Sequence, residues 1–203
     1  MLKCARRSGS ILLMLLVPFG AAAQEQESTL KALVTTGEVT LRGQKRQYIV
    51  RHLPPSSFPD LPDPVAAELN QRGCLIPQTY QAHQPENAVH GSFQRAGSSD
   101  WAVLCSVKGT VSLLVFFDSS ANPSVLATSA ETQRLQVHES TGVLGFNWGI
   151  DAAPPESIHD AQNGLTPRPA RVDHDALADS VVDRKIIYHY YADNAWSLLD
   201  MPD

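Results

Sequence analysis

Asp173, Asp175 and Asp179 place three carboxylates at i, i+2 and i+6, with His174 between the first two. These residue types permit two chemistries. Calcium takes about six to eight oxygens, usually with several carboxylates, so Asp173, Asp175 and Asp179 are candidate metal ligands, with Asp183 as a further oxygen. A short calcium loop wants a turn glycine where this chain has Ala176, and its usual middle ligand is absent. His174, oriented by Asp173 or Asp175, could instead serve as a general base in a hydrolase site assembled by the fold. The preferred reading is plainer: a helix start capped by Asp173 or Asp175, its acids opposing the helix dipole.

A second set of candidates lies in the last twenty residues. Tyr188, Tyr190, Tyr191 and Trp196 are large, and each has a polar tip, the composition of a recognition surface. At a sheet edge they would form a binding patch; inside, they are core, which is the favoured reading. His189 stands among them. The seven histidines are dispersed at 52, 83, 90, 138, 159, 174 and 189, with no two at i, i+2 through i+4. There is no G-x-S-x-G, no H-E-x-x-H and no phosphate-binding loop. No catalytic set is assembled by sequence alone.

The stretch Gly91-x-Phe93-x-x-x-Gly97-x-x-Asp100-Trp101-Ala102-Val103 resembles the calcium-binding loop of FG-GAP or VCBS-type propeller repeats. Ser92, Gln94 and Ala96 stand where that loop carries ligands, and Asp100 alone remains. The expectation is a loop shaped by its glycines, with Asp100 accepting hydrogen bonds from backbone amides.

These residues need a frame, and the chain's start says where it is built. Lys3, Arg6 and Arg7 precede an apolar stretch, 11–19, that is too short to span a bilayer, and Ala21-Ala22-Ala23 offers a cleavage site. Residues 1–23 are therefore expected to be a cleaved signal peptide and 24–203 a single exported domain, periplasmic or secreted. Cys4 leaves with the signal, so Cys74 and Cys105 are expected to pair in an oxidising compartment. Loss of Lys3, Arg6 and Arg7 from 16 basic residues, against 21 acidic ones, takes the formal charge from −5 to −8. That sign argues against nucleic acid as a partner, and no segment remains to insert in a membrane. The basic run within 42–51 reads as a solvated hairpin face.

Element signals point to an α+β domain, mainly antiparallel sheet, with one or two short helices. Residues 30–36 and 38–41, broken at Gly37, and 47–52 read as strands. The prolines of 52–62 exclude helix interior, after which 64–72 reads as a helix stopped by Gly73. Residues 101–107 and 110–117, joined at Lys108-Gly109, form the clearest hairpin. Strands follow at 134–138 and 143–150, then a proline-rich extended segment at 151–172. Residues 185–191 and 196–199 close a terminal hairpin through Asp193-Asn194.

Several blocks taken together are similar to a family of exported bacterial proteins without assigned function. They are Gly73-Cys74-x-Ile76-Pro77-Gln78, Asn87-x-x-x-Gly91-x-Phe93, Gly97-x-x-Asp100-Trp101-Ala102-Val103-Leu104-Cys105, and Asp173-His174-Asp175 with Tyr190 and Trp196. In those relatives the acidic block reads D-H-D-G-I-E-D, so Ala176 and Ala178 depart from it. The resemblance implies export and a single domain, and it supplies no catalytic residues. The leading expectation is an exported binding or accessory protein for an envelope protein or small ligand. The alternatives are the His174 hydrolase and a calcium-stabilised module.

Overall fold

The computed structural model describes residues 33–138, 141–163, 165–169 and 171–200; the expected signal peptide lies outside the described residues. The first hairpin pairs β1 (Val34–Leu41) with β2 (Gln44–Leu53) through Arg42 and Gly43, both at positive φ. β1 runs unbroken through Gly37, where a break was expected. Tyr48, the register partner of Gly37, lays its ring over that glycine. A Cβ there would stand 2.6 Å from the Tyr48 hydroxyl. Glycine at this point records a close approach, not an interruption.

After the prolines, α1 (Asp63–Arg72) forms with Pro64 in its first turn, a place where a missing N–H costs nothing. Asp63 is the first helical residue and not the cap. Gly73, in the left-handed conformation, ends the helix, and the Cys74 N–H returns to the Leu69 carbonyl at 2.9 Å. This turn presents Cys74 to Cys105, and the two form a disulfide with their Cα atoms 5.1 Å apart.

β3 (Ile76–Gln78) adds to β2, while β4 (Ala88–Gly91), β5 (Asp100–Val107), β6 (Thr110–Phe116) and β7 (Ser124–Ala130) form an antiparallel sheet in that order. Period-two alternation sorts β5 between two cores. Trp101, Val103 and Cys105 pack under α1 with Val65, Leu69 and Ile76. Ala102 and Leu104 face the central core with Val111, Leu113 and Val115.

The second half is built differently. β8 (Leu135–Val137) and β9 (Leu144–Phe146) complete a sheet ordered β1-β2-β9-β8, in which β2 and β9 run parallel at Tyr48 and Ile49. β10 (Trp148–Ala153), β11 (Ala176–Val181), β12 (Lys185–Ala192) and β13 (Ala195–Asp200) make a third, antiparallel sheet. Trp148, Ile150 and Leu177 join the central core on one of its faces. On the other, Ala176, Tyr190 and Leu199 pack with Ile158 of α2 (Pro155–Gln162). The Arg134 guanidinium caps the fully buried Trp148 ring at 4.0 Å from its centroid.

Two further expectations are corrected. Residues 151–172 are not one extended segment, because β10 continues through Ala153 and Pro155 opens α2, whose Ile158 is buried. Nor does a helix begin at Asp173 or Asp175: Ala176–Val181 is a strand paired on both sides, by β10 and β12. Partners distant in sequence override the local capping signal. The architecture is α+β and mainly antiparallel, tied by one disulfide.

Candidate functional site

The acidic block is dispersed by its strand. Asp173 is exposed. Asp175 forms a two-way link with the 91–97 loop: its carboxylate accepts from Ser92 N–H at 2.9 Å, and its own N–H reaches the Ser92 carbonyl at 3.0 Å. Asp179 is buried in the third sheet, 3.2 Å from Nε2 of buried His189. The side chains of Asp175 and Asp179 thus serve different neighbours. Among the described residues no group of three or more His, Cys, Asp or Glu is arranged to hold a metal ion.

His174 is buried, and its Nδ1 donates to the Asp175 carbonyl at 3.1 Å. The Asp carboxylates beside it therefore do not orient it as a base. Neither His174 nor His189 has a hydroxyl among its described hydrogen-bond partners.

The four aromatics divide by the alternation of β12. Tyr188 and Tyr190 face α2, where Tyr190 is core. Tyr191 and its cross-strand partner Trp196 face the other way and cluster with Phe117, at centroid distances of 4.9 and 5.8 Å from it. They do not form one patch.

Asp100 behaves as expected of a loop organiser. It is completely buried and accepts from Gln94 N–H at 2.7 Å, Ser98 Oγ at 2.5 Å and Asp118 N–H at 2.8 Å. Two further buried polar centres lie outside the candidate site residues of the sequence, although Asn87 stands in one of the resemblance blocks. Asn87, at positive φ, donates to the Pro77 and Trp148 carbonyls and accepts from Ile150 N–H, pinning β3 to β10. Glu131 accepts from Ser106 and from His52 Nε2 at 2.7 Å, all three being buried. Burial pushes the Glu131 carboxyl up, but the hydrogen bonds from His52 and Ser106 and the attraction of His52 outweigh it and hold the group below the usual carboxylate range. Both donors meet the same Glu131 oxygen, so histidine does not stand between serine and acid as a nucleophilic relay requires. This centre is structural.

What the fold assembles toward solvent is a groove of about 240 Å³ on one face of the β1-β2-β9-β8 sheet. Ile49 and Arg51 of β2, Tyr80, His138, Thr141 and Val143 form its walls. Gly145 positions Tyr80: a Cβ at 145 would stand 2.4 Å from the Tyr80 Cβ, so only glycine lets that residue lie against β9. The Tyr80 N–H bonds the Phe146 carbonyl at 2.8 Å, and the Tyr80 hydroxyl accepts from Gln136 Nε2 at 3.2 Å. Its ring meets His138 edge-on at 5.3 Å. Arg51 is held by the Ala82 carbonyl at 2.7 Å, while Ile49 stays 46% exposed. The groove is preformed, mostly apolar, and sized for one large side chain or a single ring. Sequence reasoning missed these residues. The available signal was Gly145 inside a strand pattern, which marks close approach of another backbone.

Compared with protein-family models, with curated proteins and with solved structures, the chain matches none.

Proposed function

We propose that this chain is an exported binding or accessory protein that seats an apolar or aromatic group of an envelope protein or small ligand in the Tyr80 groove. Export is supported by the N-terminal sequence and by the disulfide, a bond that persists in oxidising compartments. No helix among the described residues is long and apolar enough to cross a membrane.

The observation that carries the proposal is the groove itself. It combines an exposed apolar wall at Ile49, an aromatic floor fixed by Gly145 and polar groups already oriented by internal bonds. Preorganisation of this kind lowers the entropic cost of binding. Ligand sites are typically concave and mainly apolar, with a few placed polar groups.

The test is capture from a solubilised envelope fraction by the mature chain, 24–203, with its disulfide intact, alongside Ile49→Glu. That substitution places a carboxylate beside Arg51 and removes the apolar wall without touching the core. Co-purifying proteins and small molecules are identified by mass spectrometry. The proposal expects a ligand retained by the wild type and lost from the folded variant. Equal retention by both proteins, or none by either, refutes it.

A further inference from the structure

The opposite face of the same sheet carries a larger cleft, about 760 Å³, that the Tyr80 groove does not use. Its rim holds Arg42, Arg46 and Arg184; Leu135, Val137 and Leu144 line it between them. The alternation of β2 puts Arg46 on the same face as Tyr48, whose register partner is Leu144, and Leu144 is in turn paired with Val137. Cations and apolar side chains thus share one surface.

These arginines are not neutralised from within. Arg42 and Arg184 make no salt bridge among the described residues, and Arg46 donates only to Gln44, at 3.0 Å. The chain as a whole is acidic, at −5. Three unpaired guanidinium groups around one cleft are therefore a local feature, not a by-product of a basic surface.

The backbone adds a second observation. β9 and β10 are separated only by Asn147, whose N–H bonds the Arg134 carbonyl at 2.9 Å and whose carbonyl accepts from Val182 N–H at 3.0 Å. N–H and C=O of one strand residue point to the same side, so β8 and β11 flank the β9–β10 line on that side. Beyond β11 the sheet continues with β12, which begins at Lys185, directly after Arg184. Beyond β8 no described strand follows, because β8 is an edge. The bonds at Arg134–Asn147 and His138–Val143 fix the alternation, so Leu135 and Val137 turn their main-chain N–H and C=O outward.

We propose that this cleft binds an extended acidic peptide segment of a partner, added as a strand along β8. Its carboxylates meet Arg42, Arg46 and Arg184, and its alternate apolar side chains rest on Leu135 and Val137. Strand addition supplies main-chain hydrogen bonds while side-chain sites confer specificity. With only three residues in β8, the arginines carry much of the affinity, and added salt weakens it.

The test titrates the mature chain against a fluorescein-labelled hexapeptide of alternating glutamate and valine, read by anisotropy. The comparison peptides are its lysine–valine counterpart and the same acidic peptide N-methylated at every second amide, a form that cannot complete the ladder. The protein variants are Arg42→Glu/Arg46→Glu/Arg184→Glu and Val137→Pro; proline is tolerated on an edge whose N–H points outward. The proposal expects binding of the acidic peptide and a loss of about tenfold or more with the lysine peptide, the N-methylated peptide and either variant. Equal binding of both charge types overturns it, as does wild type that does not bind at millimolar peptide. If citrate displaces the peptide while N-methylation and Val137→Pro change nothing, the cleft is an anion site only, and strand addition is refuted.

Discussion

Two regions of this molecule use their polar groups in opposite ways. Around the β5–β6 hairpin that carries the disulfide, buried carboxylates are engaged internally: Asp100 accepts from three donors, and Glu131, which follows β7, accepts from Ser106 and from His52 at the buried end of β2. In the β1-β2-β9-β8 sheet, charge and apolar surface face outward instead, with Arg42 and Arg184 unpaired among the described residues and Ile49 and Leu41 exposed at 46% and 42%. The difference separates a scaffold from a surface available for contact. A buried polar group is costly unless satisfied. An exposed arginine between apolar walls costs little and remains free to recognise an anion.

The largest expected effect breaks the scaffold at its centre. Glu131→Ala leaves His52 and Ser106 without their acceptor and should cost about 3–5 kcal/mol, read as a shift of the urea midpoint. Because the folded Glu131 pKa lies below its unfolded value, its contribution to stability is present above the unfolded pKa and is lost as pH falls through the folded pKa. A melting-temperature series from pH 7 downward should therefore show a loss beginning near about pH 4.5. Glu131→Gln, less stable at pH 7, should show a shallower acid limb. An unchanged acid limb would remove Glu131 from that role.

Loss of the disulfide comes next. Cys74→Ser/Cys105→Ser opens a loop whose ends are 31 residues apart, worth about 3–4 kcal/mol on the loop-entropy estimate. Calorimetry of the double variant against the oxidised wild type measures it. Asp100→Asn should cost about 2–3 kcal/mol, since an amide cannot accept all three donors. Hydrogen exchange at the Gln94 and Asp118 amides should rise more than in the third sheet. At the other end of the scale, Arg42→Glu/Arg46→Glu/Arg184→Glu should leave stability within about 0.5 kcal/mol. A loss near that of Glu131→Ala would mean the arginines belong to the scaffold and would dissolve the contrast between the two regions.

The legibility of the chain depended on how local each signal is. β5 and β6 were readable because their alternation and the Lys108-Gly109 turn are local signals. α1 was readable from Pro64 and Gly73. Asp100 was assigned its organising role from the glycines around it. β11 was not readable, because Asp173-His174-Asp175 imitates a helix cap and only pairing with β10 and β12 settles it as strand. α2 was hidden by Pro154 and Pro155, which the segment's other prolines made look like a loop. The Tyr80 groove and the arginine cleft were invisible for a related reason. Each joins residues more than eighty positions apart, Ile49 with His138 and Arg42 with Arg184, and short-range patterns carry no information about such meetings. Among the sequence candidates, Tyr190 proved to be core, and Tyr191 and Trp196 joined Phe117 on the opposite face.

On both proposals, partners engage the β1-β2-β9-β8 sheet and not the helix-covered side. Site-specific photocrosslinking tests it most directly. A benzophenone residue replaces Thr141 at the Tyr80 groove, Val137 at the arginine cleft, or Glu68 on α1, each in the disulfide-bonded chain of residues 24–203 mixed with the solubilised envelope fraction used for the capture experiment. A discrete crosslinked partner is expected from position 141 or 137 and none from position 68. Crosslinking from position 68 alone would place recognition on the scaffold and contradict that expectation.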